Sequence, residues 1–275
     1  MLKKQLEETE KIRELFLSKK FFLLDGDGTL YLWNKPFSCS SAFLNKLIKL
    51  KKKFIILSNN DSESKRNRLN FIEKILNIKI KDEELLLPNE IVEDFLKKNK
   101  IRSFDGLISD DFKNELVMKS FVYDEKNPQL IIIGFDIDLS YKKIERIINH
   151  INNGKKFILT HNDPLCSYKN GKEIPDAGLI VNLVSEATKK EPYKIFGKPY
   201  ISTIEYIIKK YGYVKNDILI IGDRLNTDIK MANEAGISSI WITNGENPHR
   251  EIEEYKPTAR ISSINNLYKI IRDLK

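Results

Sequence analysis

Cysteine is scarce in this chain of 275 residues: Cys39 and Cys166 are the two present. They lie far apart and without metal-ligand spacing, which excludes a cysteine-built metal motif and suits free thiols in a reducing cytoplasm. No apolar run approaches the length of a bilayer span, so no membrane partner is expected. The opening stretch MLKKQLEETEKIRELFLSKK is charged throughout, with no apolar h-region or cleavage-site pattern, and reads as an amphipathic helix rather than a signal peptide. Internal repeats, low-complexity tracts and Gly/Ser linkers are also absent, so any second domain must be inserted through short hinges. Aromatic residues make up 10% of the chain, too few for a base-stacking platform, and Trp33 and Trp241 read as packing residues.

What is present is enough apolar sequence, 41%, for a packed core, and a formal charge of +8 from 47 Lys plus Arg against 39 Asp plus Glu. The lysines are scattered among glutamates on helical faces. The densest run, KLKKK at Lys49 to Lys53, closes a helix where cations suit the macrodipole. A solvated surface is therefore the expectation rather than a nucleic-acid patch, and the positive field would help gather a small anionic substrate.

Short apolar runs recur with helix-period segments between them: FFLL at 21–24, FIIL at 54–57, LIIIG at 130–134, KFILT at 156–160, YKIFG at 193–197, ILIIG at 218–222 and SIWIT at 239–243. Near-continuous apolar strands are what a parallel sheet buried on both faces requires, and the intervening helices make the class α/β. Several runs end in polar loops: DGDG, SNND, THND, GKP and GDRLNTD. Ligands of open α/β sheets collect at the carboxyl ends of strands, so these loops should converge. The gap between Ser58 and Lys198 is far longer than one βα unit needs. The spacing therefore predicts a Rossmann-like core over 1–86 and 189–275 with an α/β cap inserted over 87–188.

The loop after FFLL sets Asp25 and Asp27 one residue apart between glycines. Two like charges about 4 Å apart cost about 4 kcal/mol at an effective dielectric near 20, so something positive should sit with them. An EF-hand reading fails because its sixth and twelfth positions are Leu30 and Pro36. A dinucleotide fingerprint fails at Tyr31, and a P-loop fails because Lys198 is followed by Pro199. What survives is a carboxylate nucleophile with a second acid one spacer away for proton transfer. A phosphate dianion facing that nucleophile requires a divalent cation and a fixed lysine to offset the repulsion, and Lys198, Asp223 and Asp228 can supply these, the acids as ligands for Mg²⁺.

DGDGT at Asp25 to Thr29, LSNN at Leu57 to Asn60, GKP at Gly197 to Pro199 and GDRLNTD at Gly222 to Asp228 resemble, in order, the four motifs of the haloacid dehalogenase superfamily of aspartate-nucleophile phosphatases. IIIGFDIDLSYKKI, FILTHNDP and IPDAG resemble the large cap of its NagD-like, 4-nitrophenylphosphatase branch. The resemblance implies that Asp25 attacks phosphorus and that Asp27 protonates the leaving alcohol and then activates water. It further implies that Ser58, with main-chain amides around Asp27 and Asn59, holds the phosphoryl oxygens and that Lys198 neutralises charge. Mg²⁺ would be held by the Asp25 carboxylate, the Asp27 carbonyl and Asp223, with Asp228 in support. An acid at Asp27 favours a phosphatase over a dehalogenase, and a large cap favours small phosphorylated metabolites over phosphoproteins.

Three positions depart from the family: Gly26, where a bulkier spacer is usual, Asn226, where the branch commonly has Asp, and Asp61, where a small hydroxyl residue is usual. Blander roles stand beside the sharp ones. Ser58 also suits a helix cap, Asp228 a helix N-terminal charge, and His161, Asn162 and Asp163 either contact substrate or form a strand-end turn. Two other functions stay open at this stage, a phosphotransferase or mutase using the same intermediate and a non-catalytic binding module. The family also admits a homodimer.

Overall fold

The computed structural model describes residues 2–168, 172–245 and 254–274. Its contacts divide the chain into two compact units, one of Met1–Ser58, Leu69–Leu86 and Thr203–Lys275, the other of Asn59–Arg68 and Leu87–Ser202. No helix among the described residues is long and apolar enough to cross a membrane.

The first unit is built on a six-stranded, all-parallel sheet. Its strands run in the order Ala259–Ile261, Ser238–Ile242, Ile218–Gly222, Phe21–Leu24, Lys53–Leu57 and Leu85–Leu86. Phe21–Leu24 is buried along its whole length, as a strand covered on both faces must be. Leu24 pairs with Ile221 on one side and Ile56 on the other. That register brings the residues that follow these strands, Asp25, Ser58 and Asp223, out at one end of three adjacent strands. The opening helix Leu2–Ser18 buries Ile12 and Phe16, and the Phe16 ring meets Phe22 at 4.9 Å and Phe43 at 6.4 Å.

The second unit carries a five-stranded parallel sheet in the order Lys194–Ile195, Phe157–Leu159, Leu130–Ile133, Ser103–Leu107 and Val122–Tyr123. An antiparallel hairpin, Leu165–Tyr168 with Lys172–Pro175, stands beside it in the chain. Its core joins Ile131, Ile133, Ile147, Ile151, Phe157, Leu159, Val181 and Val184.

The boundaries of this unit differ from the expected 87–188. The YKIFG run, expected in the core, pairs through Lys194–Ile195 with Phe157–Leu159, which carries the far boundary to Ser202. Residues 59–68 also join it. The Asp61 carboxylate accepts the Phe135 amide at 3.3 Å, and Lys65 reaches Glu90 at 2.5 Å.

Ser103–Leu107 escapes the apolar pattern because Asp105 stands in its middle, fully buried. Arg146 holds that carboxylate with Nε at 2.7 Å and Nη2 at 3.0 Å, and the Gly106 amide donates to it at 2.8 Å. Breaking a buried pair from one side leaves an uncompensated charge. Arg146→Met should therefore cost about 3 kcal/mol of stability, read from the urea midpoint of full-length protein.

Candidate active site

The first loop of the candidate site begins where Phe21–Leu24 ends. The Asp25 amide still donates to the Ile221 carbonyl at 2.9 Å, which carries the ladder one residue beyond the strand. The chain then turns sharply: the Gly26 carbonyl accepts from Thr29, Leu30 and Tyr31, and the Gly28 amide donates to the Tyr31 carbonyl at 2.8 Å. Gly28 has φ +87°, a conformation that favours glycine. Asp25 is 8% exposed, whereas Asp27 is half-buried. The two acids thus differ in access to water within one turn.

Asp25, Asp223 and Asp228 converge, each offering a carboxylate oxygen within 4.8 Å of the others, and all three are buried. Glycines make the room. A Cβ on Gly28 or on Gly245 would lie 2.2 Å from Asp223 Oδ2, and one on Gly222 would lie 2.3 Å from Asp228 Cγ. Asp223 is further set by Trp241, whose indole donates to its carbonyl at 2.8 Å, and by Thr29, whose hydroxyl donates to Oδ1 at 3.5 Å. Asp228 Oδ2 accepts from the Arg224 amide at 3.3 Å and the Thr227 hydroxyl at 3.4 Å, within the π-helical turn Leu225–Ile229. Three carboxylates in one buried place repel one another, and the donor set is wholly oxygen. These residues fit a hard divalent cation such as Mg²⁺.

Trp241, read from the sequence as packing, is therefore also a positioning group. Nothing in the sequence pattern marks its indole as a donor. Asn226 is exposed on the same turn, and the acidic cluster assembles without it.

Gly26 finds its explanation in Tyr31. A Cβ at residue 26 would stand 2.4 Å from the Tyr31 hydroxyl and 3.0 Å from its Cζ, and Tyr31 is fully buried, edge-on to Phe71 at 6.1 Å. The tyrosine fills the space that a bulkier spacer would occupy. We expect Gly26→Leu to destabilise by about 2 kcal/mol through overpacking. Tyr31→Ala in the same chain should recover at least about 1 kcal/mol, a coupling read from a double-mutant cycle of thermal melts.

Of the remaining sequence-predicted residues, Ser58 lies in the first unit and Asn59, His161, Asn162, Asp163 and Lys198 in the second. Lys198 is 4% exposed. Its backbone is clasped by Asn59: the Lys198 amide donates to Asn59 Oδ1 at 2.7 Å, and Asn59 Nδ2 donates to the Lys198 carbonyl at 2.9 Å and to Asp163 Oδ2 at 3.1 Å. Gly197, at φ +71°, admits this close approach, since a Cβ there would lie 2.8 Å from Asn59 Oδ1 and from His161 Cβ. Ser58, last residue of its segment of the first unit, is buried, and its amide donates to the Leu86 carbonyl at 3.2 Å.

Of the three cap residues, Asn162 is exposed, Asp163 is half-buried and His161 is 1% exposed. The His161 ring faces the carboxylates of Asp61 and Asp176, a convergence that nothing in the sequence spacing announces. Burial alone would lower the His161 pKa, but Asp176 and Asp61 overcome it and raise it to about 10. Burial raises Asp176 to about 6, with His161 pulling the other way.

An acidic cluster at the carboxyl end of a parallel sheet defines an α/β enzyme core. Comparison with known proteins agrees. The haloacid dehalogenase-like hydrolase profile matches residues 22–121, and a HAD-hydrolase-like profile matches residues 195–267. The dihydroxyacetone phosphatase of Corynebacterium glutamicum is 28% identical over 249 residues, 90% of each chain. The 4-nitrophenylphosphatase of Schizosaccharomyces pombe is 24% identical, covering 91% of this chain and 92% of its own. Among solved structures, the 4-nitrophenylphosphatase of Thermotoga maritima superposes with a TM-score of 0.85 at 29% identity, over 93% of this chain and 98% of its own. The chain belongs to the haloacid dehalogenase-like hydrolases and is similar over most of its length to their NagD-like, 4-nitrophenylphosphatase members.

Proposed function

We propose that this hydrolase is a Mg²⁺-dependent phosphatase that cleaves small phosphomonoesters through an aspartyl phosphate on Asp25. The observation that carries the reading is the buried convergence of Asp25, Asp223 and Asp228 beside a half-buried Asp27. Names of the relatives, which include dihydroxyacetone phosphatase, phosphoglycolate phosphatase and 4-nitrophenylphosphatase, support a small phosphorylated substrate. A cytoplasmic setting is part of the same reading.

Asp25 is the nucleophile: its carboxylate oxygen forms the bond to phosphorus as the bond to the alkoxide leaving group breaks. Asp27, with its better access to water, gives its proton to the leaving oxygen. It then takes a proton from the water that attacks phosphorus, and the bond from phosphorus to the Asp25 oxygen breaks, which returns the Asp25 carboxylate and releases phosphate. Ser58 and main-chain amides at Asp27 and Asn59 are assigned to the phosphoryl oxygens, and Lys198 to the charge shared by phosphate and Asp25. Asp25, the Asp27 carbonyl and Asp223 would hold Mg²⁺, with Asp228 orienting the set. When bound, the ion supplies the positive charge that lets a dianion approach a carboxylate.

The deciding assay is hydrolysis of 4-nitrophenyl phosphate with and without Mg²⁺, with free phosphate measured against total turnover. Equal release supports the phosphatase. A shortfall made up by a phosphorylated acceptor alcohol would assign a phosphotransferase instead.

A further inference from the structure

We propose that Asp61, His161 and Asp176 form a second divalent-cation site, of the zinc type, wholly within the second unit and separate in composition from the Asp25 cluster. The three side chains are 1%, 1% and 5% exposed, and one ligand atom from each lies within 4.8 Å of the other two. They arrive from three places in the chain: the loop after Lys53–Leu57, the end of Phe157–Leu159, and the N-cap of the helix Ala177–Thr188.

The geometry around one atom carries the argument. His161 Nε2 stands 3.2 Å from Asp61 Oδ1 and 3.5 Å from Asp176 Oδ1. A ring nitrogen bears at most one hydrogen and serves one acceptor well, so the two carboxylates take their other donors from the backbone, Asp176 Oδ1 from the Ala177 amide at 2.7 Å and Asp61 from the Phe135 amide at 3.3 Å. A tetrahedral ion with ligand bonds of about 2.0–2.1 Å spaces its ligand atoms about 3.3–3.4 Å apart, and the two observed separations bracket that edge. The other ring nitrogen, Nδ1, is met by the Asp163 amide at 3.4 Å, with Asp163 Oδ2 3.9 Å away and held by Asn59 Nδ2.

A second observation points the same way. Thr160 is fully buried, and its hydroxyl has no hydrogen-bond partner among the described residues. It faces the same space as Asp61: the point where a Cβ of Gly134 would stand is 2.9 Å from Thr160 Oγ1 and 2.3 Å from Asp61 Oδ2. An uncommitted buried hydroxyl next to a buried carboxylate is a partner for an ion or for water bound to it.

Charge agrees with geometry. Two buried carboxylates, Asp61 and Asp176, share one imidazole. A divalent ion would replace the Nε2 proton, which leaves to solvent as the ion enters. The mixed nitrogen and oxygen donors suit Zn²⁺ or Co²⁺ over Mg²⁺, which prefers oxygen alone.

The test uses the full chain carrying Asp25→Asn and Asp223→Asn, so that the first cluster is silenced and hydrolysis plays no part in the readout. After stripping with chelator, Zn²⁺ is titrated by calorimetry and the retained metal is counted after gel filtration. About one Zn²⁺ per chain is expected, with at least about 100-fold weaker binding on adding His161→Asn. Co²⁺ in the same background should give the intense visible absorption of a tetrahedral site, which needs no further variant. Failure to retain Zn²⁺, affinity unchanged by His161→Asn, or an octahedral Co²⁺ spectrum would each overturn the proposal, whatever the fate of the phosphatase reading.

Discussion

Asp25→Asn is expected to lower kcat for 4-nitrophenyl phosphate by at least about 10⁴-fold, the scale on which loss of a nucleophile is felt. The amide has the shape of the carboxylate and fits the same buried turn, so the protein should keep its melting temperature. What disappears is the oxygen nucleophile and one negative charge. Because Asp25 also belongs to the acidic cluster, the variant must be assayed over a range of Mg²⁺ concentrations. If weakened cation binding were the whole effect, high Mg²⁺ would restore turnover. The nucleophile assignment predicts that it does not, and recovery to within about a hundredth of the parent rate would remove Asp25 from that role.

Asp27→Asn should lower kcat by about 10²–10⁴-fold, the usual reach of general acid–base catalysis. The distinguishing result concerns what accumulates. With 4-nitrophenolate, a leaving group that needs little protonation, phosphorylation of Asp25 should proceed while its hydrolysis stalls for want of a base. Intact-protein mass spectrometry of quenched samples should then show the added mass of one phosphoryl group in Asp27→Asn and none in the Asp25→Asn, Asp27→Asn double variant. An adduct that persists without Asp25 would place the covalent chemistry on another residue.

The elements that position this chemistry were legible to different degrees. The apolar Phe21–Leu24 and Ile218–Gly222 runs, each followed directly by Asp, announce buried parallel strands and the loops that follow them. Periodicity alone does not separate two sheets of the same kind. The Lys194–Ile195 strand sits near the GKP loop in sequence, yet its hydrogen-bonding partner is Phe157–Leu159, and only pairing reveals that. Asp105 hides Ser103–Leu107 because a buried charge is tolerable only beside Arg146, 41 residues away. Gly26 reads as a departure until Tyr31 is seen over it. The meeting of Asp61 with His161 depends on segments 100 residues apart, and neither shows a ligand spacing.

The strand that delivers Asp25 pairs on one flank with Lys53–Leu57, close behind it in the chain, and on the other with Ile218–Gly222. During synthesis Asp25 and its first neighbouring strand emerge early, but Asp223 and Asp228 follow about 200 residues later. A nascent chain stalled before that point has Asp25 without the other two carboxylates of its cluster. Catalytic competence therefore arrives late, as a property of the closed sheet rather than of any early segment, and pulse-refolding should recover activity only after the long-range pairing of these strands.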